Sequence, residues 1–286
     1  MERDHPSDPR RSAAPDPLQC TVSTPGNTLG VSAKRRVDIA GVLPPAPRLA
    51  IIGSRAARFD RIAAVRSIAA AAQTAGYCIV SGGALGIDTA AHRAALDLGI
   101  AQVVVLPCGP DAPYPKTNIP LFREVLAAGG AVVHSRPRGS TPNRSVFASR
   151  NTLVVGLASA VAVAQVHLPS GSFGTATLAL GARKPVAVLA GQPAAVALAD
   201  KGATLLPFED DGSPLQSTAL AWLRGEAPAA AVWPDSLGAL KAHVDGAGPR
   251  GLSIDGLAPG VLVDLLRAEA LGWVGERTPG RYVALR

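Results

Sequence analysis

Apolar residues along this chain fall into short blocks separated by stretches of helical periodicity. The blocks stand at 49–53, 77–81, 102–107, 131–134, 160–166 and 185–190 and are rich in Val, Ile and Ala. Their hydrophobicity is nearly continuous rather than alternating, as strands covered on both faces require. Helical stretches occupy the gaps, at 57–75, 88–98, 119–128, 147–158 and 173–181. Regular alternation of strand and helix with short connections predicts a doubly wound parallel α/β sheet with right-handed crossovers. Ligands of such sheets bind beyond the carboxyl ends of the strands, so chemistry is sought just after each apolar block.

The flanks have a different texture. Residues 1–47 are rich in Pro, Ser, Asp and Arg with weak periodicity, which predicts a disordered tail. The sheet domain is expected over 48–224. A Pro/Ala-rich linker is expected at 225–234, and the remainder, 235–286, reads as a small module of two or three helices. That module ends in a Gly-tipped hairpin around Trp273–Val274 and Pro279–Gly280, the pattern of a winged-helix-like unit.

Composition sharpens this picture. The chain has 286 residues, 48% of them hydrophobic, enough for one main core and a smaller one without staples. Aromatic residues make up only 4%, so small residues must do much of the packing. Cys20, Cys78 and Cys108 are scattered and odd in number, which argues against a disulfide framework and a zinc site. Reduced thiols and a cytoplasmic location are expected, with no metal. No apolar run reaches about 18 residues and the N-terminus has no apolar signal segment, so no membrane contact is expected.

The net charge of +7 is unevenly placed. Residues 49–225 hold fifteen basic and nine acidic side chains, while the flanks hold seven against five and six against seven. No acidic residue occurs between Glu124 and Asp200, a stretch that carries Arg136, Arg138, Arg144, Arg150, Arg183 and Lys184. A long basic stretch without acids suits a polyanion, either nucleic acid or nucleotide phosphate, and also suits a plain solvated basic face.

The motifs follow the strands. Gly53-Ser54-Arg55 offers a glycine for close backbone approach and a cation for an anion, or simply a tight turn. Gly82, Gly83 and Gly86 follow the second block and open a helix that carries Asp88 and, one turn on, His92. That acid–imidazole pair reads as a structural or pocket contact, with a catalytic pair as the alternative. The Pro-rich loop from Pro107 to Pro115 presents Tyr114 as a wall of the site or as a rigid loop. Arg144, Phe147 and Arg150 interleave an aromatic ring with cations, which suits base stacking beside phosphate contacts and equally suits a buried helix anchor. Asn151 follows directly. Ser170, Gly171 and Ser172 form a second small-residue turn before a helix, a further candidate anion cradle.

Taken in order, Gly53-Ser54-Arg55, the run Ser81 to His92, Tyr114-Pro115, Phe147-x-x-Arg150-Asn151 and Ser170-Gly171-Ser172 resemble the DprA/Smf family over roughly 48–206. The resemblance implies a Rossmann-like domain that binds single-stranded DNA, forms a homodimer and helps load a RecA-type recombinase during natural transformation. It also implies phosphate-pairing and base-stacking positions at Arg55, Arg144 and Phe147, a pocket floor at Gly82–Gly86 and Ser170–Ser172, no catalytic residue and no cofactor. This sequence departs from the family pattern at Leu85 and Thr152, where arginine is usual, and at Gln165, where an acid is common. The alternative is a nucleotide-binding sensor or a phosphoribohydrolase-like enzyme acting on nucleoside monophosphates. Its loop needs a glutamate three residues after Thr175, and this chain has Leu178 there.

Overall fold

A computed structural model describes residues 16–25, 29, 36–140, 144–206, 216–226, 235–271 and 273–284. In chain order the main unit contains β1 (Thr21–Pro25), β2 (Arg36–Gly41), β3 (Arg48–Gly53), α1 (Phe59–Thr74), β4 (Cys78–Ser81), α2 (Ile87–Asp97), β5 (Gln102–Leu106), α3 (Ile119–Ala127) and β6 (Ala131–His134). It continues with α4 (Arg144–Leu157), β7 (Ala160–Gln165), α5 (Gly171–Gly181), β8 (Val186–Leu189), α6 (Pro193–Ala199), β9 (Thr204–Leu206) and α7 (Gln216–Leu223).

The sheet order is β1-β2-β6-β5-β4-β3-β7-β8-β9. All strands from β6 to β9 across the sheet run parallel. From β3 the chain winds one way through β4, β5 and β6, and after β7 the other way through β8 and β9. The boundary between β3 and β7 is therefore the switch point where connections diverge and leave a crevice. Helices cover both faces. Ala50, Ile52, Val80 and Val103 face α4, α5 and α6, while Leu49, Ile51 and Ile79 face α1, α2 and α7. On that second face α3 seals the far side, with Phe122 fully buried against Val104, Leu106 and Val132.

The expected disordered tail is corrected for its described part. Strand β2 pairs antiparallel with β6, and β1 pairs antiparallel with β2, so the parallel sheet gains an antiparallel border. The cause is side-chain alternation that composition hides: Val37 and Ile39 join one core and Ala40 the other. Residues 1–15, 26–28 and 30–35 of that expected tail lie outside the described residues, as do 227–234 of the expected linker. The six expected strands all form, and α6, β9 and α7 appear in addition.

The last unit comprises α8 (Gly238–Ala247), β10 (Leu252–Ser253), α9 (Pro259–Leu271), β11 (Val274–Thr278) and β12 (Arg281–Ala284). Its three strands order as β10-β12-β11, and Leu240, Val244, Leu265, Ala268, Trp273 and Tyr282 form its own core.

Candidate nucleic-acid interface

A cavity of about 400 Å³ lies at the switch point, over the carboxyl ends of β3 and β7. Its walls come from three short turns. The first follows β3, where Gly53 passes so close to α2 that a Cβ would sit 2.6 Å from Ile87. The turn itself is held by Ser54, whose hydroxyl accepts from the Ala56 N–H at 3.2 Å, and by Gln165 at the end of β7. Gln165 accepts from the Arg58 N–H at 2.9 Å and donates to the Ala56 carbonyl at 3.2 Å. An amide does this double task where a carboxylate could only accept.

The second turn, between β4 and α2, is pinned from outside the crevice. Asn118 donates to the Gly83 carbonyl at 3.1 Å, and Thr89 donates to the Ala84 carbonyl at 2.8 Å. The third turn opens α5. Ser170 is its N-cap and accepts from the Phe173 N–H at 3.2 Å. The first N–H groups of α5 have no partner within the helix and sit at the positive end of its dipole, which favours an anion there.

Below these turns lies a buried ion pair. Arg150 on α4 stands 3.9 Å from Asp88 on α2, and both are almost fully enclosed. The room for the guanidinium is made by Gly82: a Cβ there would lie 1.3 Å from Arg150 Nη1. Asp88 also accepts from the Ala84 N–H at 3.2 Å. Burial pushes the Asp88 carboxyl above its ordinary range, against the pull of Arg150, and burial likewise lowers the Arg150 guanidinium. Arg150 Nε has no hydrogen-bond partner. A buried cation with a loose ion pair and an idle donor, lining the cavity, is chemically suited to a phosphate oxygen.

At the rim the Arg55 guanidinium lies 4.7 Å from the centre of the Phe147 ring. Tyr114 meets the same ring edge-on, with centroids 6.1 Å apart and planes at 71°. The structure thus gathers Gly53, Ser54, Arg55, Phe147, Arg150, Asn151, Ser170, Gly171, Ser172 and Asp88 around one cavity, with Gly82 on an adjoining one. Gly83 and Gly86 stay behind the wall, where positive φ angles of +69° and +78° shape the turn. Arg144 is the first residue of α4, and its side chain lies outside the described set. Sequence reasoning missed His167, which lines the cavity two residues beyond β7; the rule that ligands meet strand carboxyl ends would have found it.

His92 stays out of the cavity. It is fully buried, its Nδ1 lies 2.8 Å from Gln102 Oε1, and burial lowers its pKa to about 4. Asp88 turns to Arg150 instead, so the two do not form an acid–imidazole pair. A histidine held neutral in the fold but titrating near 6.5 when unfolded stabilises fully above pH 6.5. That contribution is lost as pH falls from about 6.5 to about 4. The melting temperature should therefore drop between pH 7 and pH 5, and His92→Leu should make that drop shallower; an unchanged slope would assign the effect elsewhere. Among the described residues no cluster of three or more His, Cys, Asp or Glu has metal-site geometry, and no helix is long and apolar enough to cross a membrane.

Known proteins share the sequence and fold that surround this cavity. The family model for DNA recombination-mediator protein A matches residues 41–209. The chain is 31% identical over 258 residues to the protein Smf of Escherichia coli K12, covering 84% of this chain and 68% of that one. It is 40% identical over 147 residues to a DNA processing protein DprA of Mycobacterium tuberculosis, covering 51% of this chain and only 38% of that relative's length. Among solved structures, DprA from Streptococcus pneumoniae superposes with a TM-score of 0.58 at 27% identity, over 66% of this chain and 72% of that one. DprA from Helicobacter pylori, described for its single-stranded DNA binding mode, gives 0.55 at 30% identity, over 59% and 81%. With the family match spanning β3 to β9 and the cavity, the chain belongs to the DNA recombination-mediator protein A family, the DNA-processing proteins known as DprA or Smf.

Proposed function

We propose that this protein binds single-stranded DNA across the switch-point cavity. One observation carries the reading: an α-helix N-terminus, a buried arginine with an idle donor and a cation-capped aromatic ring converge on one cavity. The helix terminus, Arg55 and Arg150 take phosphate oxygens, and the aromatic rim favours unpaired bases. Homodimerisation, loading of a RecA-type recombinase in DNA uptake and a winged-helix-like role for residues 235–286 belong to the same proposal, supported by family membership and, for the last, by the helix and strand order. Gly82, Gly83, Gly86 and Asp88 build the site rather than touch DNA.

The nucleotide-cleaving alternative needs a free carboxylate. Asp88, the acid on the cavity wall, is tied to Arg150, and Leu178 stands where the loop would need its glutamate. We assign no catalytic step.

The test is fluorescence anisotropy with a labelled oligo-dT strand and its duplex across a salt series. The wild-type protein should prefer the single strand. Arg55→Ala/Phe147→Ala should weaken binding tenfold or more, and the salt slope should flatten by roughly 0.7 for each phosphate no longer neutralised. Absence of binding at low salt, or unaltered binding by the double variant, would overturn the reading.

A further inference from the structure

His167 stands on the wall of the switch-point cavity, two residues beyond β7, and is exposed to solvent. Among the described residues its ring has no hydrogen-bond or ion-pair partner. Its backbone, by contrast, is held from both sides. The Val166 N–H donates to Gln192 Oε1 at 2.8 Å, and Gln192 in turn donates to the Leu189 carbonyl at 2.7 Å. Three residues after His167, Ser170 caps α5. The imidazole thus shares one cavity with the first turn of α5, Arg55 and Arg150. Guanidinium groups stay charged through the physiological range, whereas histidine is the side chain whose charge changes between about pH 5 and 8.

The groups around His167 leave a protonated ring without a free internal counter-charge. Asp88 of α2 lines the same cavity but is paired with Arg150 of α4. At the start of α1, Asp60 lies 3.1 Å from Arg58 and 3.6 Å from Arg61. α4, β7, α5 and α6 contribute no acid, because none occurs between Glu124 and Asp200. His92 of α2 is fully buried away from the cavity. Burial raises the Asp88 carboxyl, which makes it the competing proton acceptor on this wall. A phosphodiester brings the missing negative charge, favours the protonated ring, and so makes DNA and a proton bind together.

We propose that His167 is a proton-gated phosphate contact, which adds one cation to the grip on the DNA backbone in acid and withdraws it in alkali. The inference rests on the single-strand reading above and adds a regulator to it. Arg55, Arg150 and the α5 terminus supply the constant part of the grip, and His167 supplies the part that follows pH.

The test is anisotropy with labelled oligo-dT at pH 8 and pH 6, at fixed ionic strength and then across a salt series. Thymine does not titrate in that range. The wild-type protein should bind roughly fivefold tighter at pH 6, the upper end for an exposed charge pair. Its salt slope should also be steeper there by about 0.7, one phosphate contact. His167→Gln should bind at pH 6 no better than the wild type does at pH 8. His167→Arg should bind tightly at both pH values, a gain that damage to the fold does not produce. Calorimetry at pH 6.5 in two buffers of different ionisation enthalpy should show proton uptake with the wild type and none with either variant. A wild-type affinity independent of pH would overturn the gate and leave single-strand binding intact. A pH response that survives in His167→Gln would do the same and assign the proton to Asp88. Failure of oligo-dT to bind at either pH would overturn both readings.

Discussion

Arg150→Met should destabilise the protein by about 3–5 kcal/mol, the usual cost of stripping one partner from a buried ion pair. For a unit of this size that is a fall in melting temperature of roughly 6–20 °C. The cost originates at Asp88. Its carboxylate is buried, and burial already raises its pKa in spite of Arg150. Without the guanidinium it keeps the Ala84 N–H as a partner and only the weaker pull of Arg55, and its pKa must rise further. A carboxyl whose folded-state pKa lies above its unfolded value loses stability as pH rises from about 3.8 through the folded value. The difference between variant and wild type should therefore be larger at pH 8 than at pH 5, as denaturation at the two values would show. Asp88→Asn/Arg150→Met, which removes the stranded charge, should recover much of the stability while still binding DNA poorly. A single-variant effect below about 1 kcal/mol would mean the pair is solvated and carries little.

The second large effect is expected at Gly86. Its backbone, at φ +78° and ψ −125°, lies where side chains are strained. A Cβ there would also sit 2.3 Å from the Ser54 carbonyl oxygen and 2.6 Å from that of Arg55. These are backbone atoms and cannot swing aside. Gly86→Ala should cost about 3 kcal/mol or more, strain and overlap together, and should displace the Arg55 turn and so impair DNA binding. Gly99 supplies the comparison. Its φ is +67°, but nothing lies within 4 Å of a Cβ there. Gly99→Ala should therefore cost only the backbone term of about 1–2 kcal/mol and leave binding unchanged. Equal destabilisation at the two glycines would show that the close approach at Gly86 does not matter.

The two substitutions also mark what can be read from sequence. The parallel strands were legible because their apolar blocks are continuous, and the site was legible because small residues cluster after those blocks. Arg150 was legible as a cation but not as a buried one. Its enclosure depends on the missing side chain of Gly82, 68 positions earlier in the chain, and no helical period on α4 reports that. Strand β2 was hidden for a related reason. Val37, Ile39 and Ala40 are few among Arg and Pro, and their burial is decided by β6. Helix α6 and strand β9, seven and three residues long, are too short for periodicity to announce.

That added antiparallel pair has a consequence for solubility. In a purely parallel sheet β6 would be the rim, and its outward N–H and C=O groups would invite any foreign strand. Here β2 occupies that side and β1 in turn covers β2, which moves the rim to a five-residue strand ending in Pro25, a residue with no N–H to donate. A fragment trimmed to begin at β3 would keep the entire switch-point cavity and yet bare β6, and it would gain a route to aggregation that β1 and β2 block.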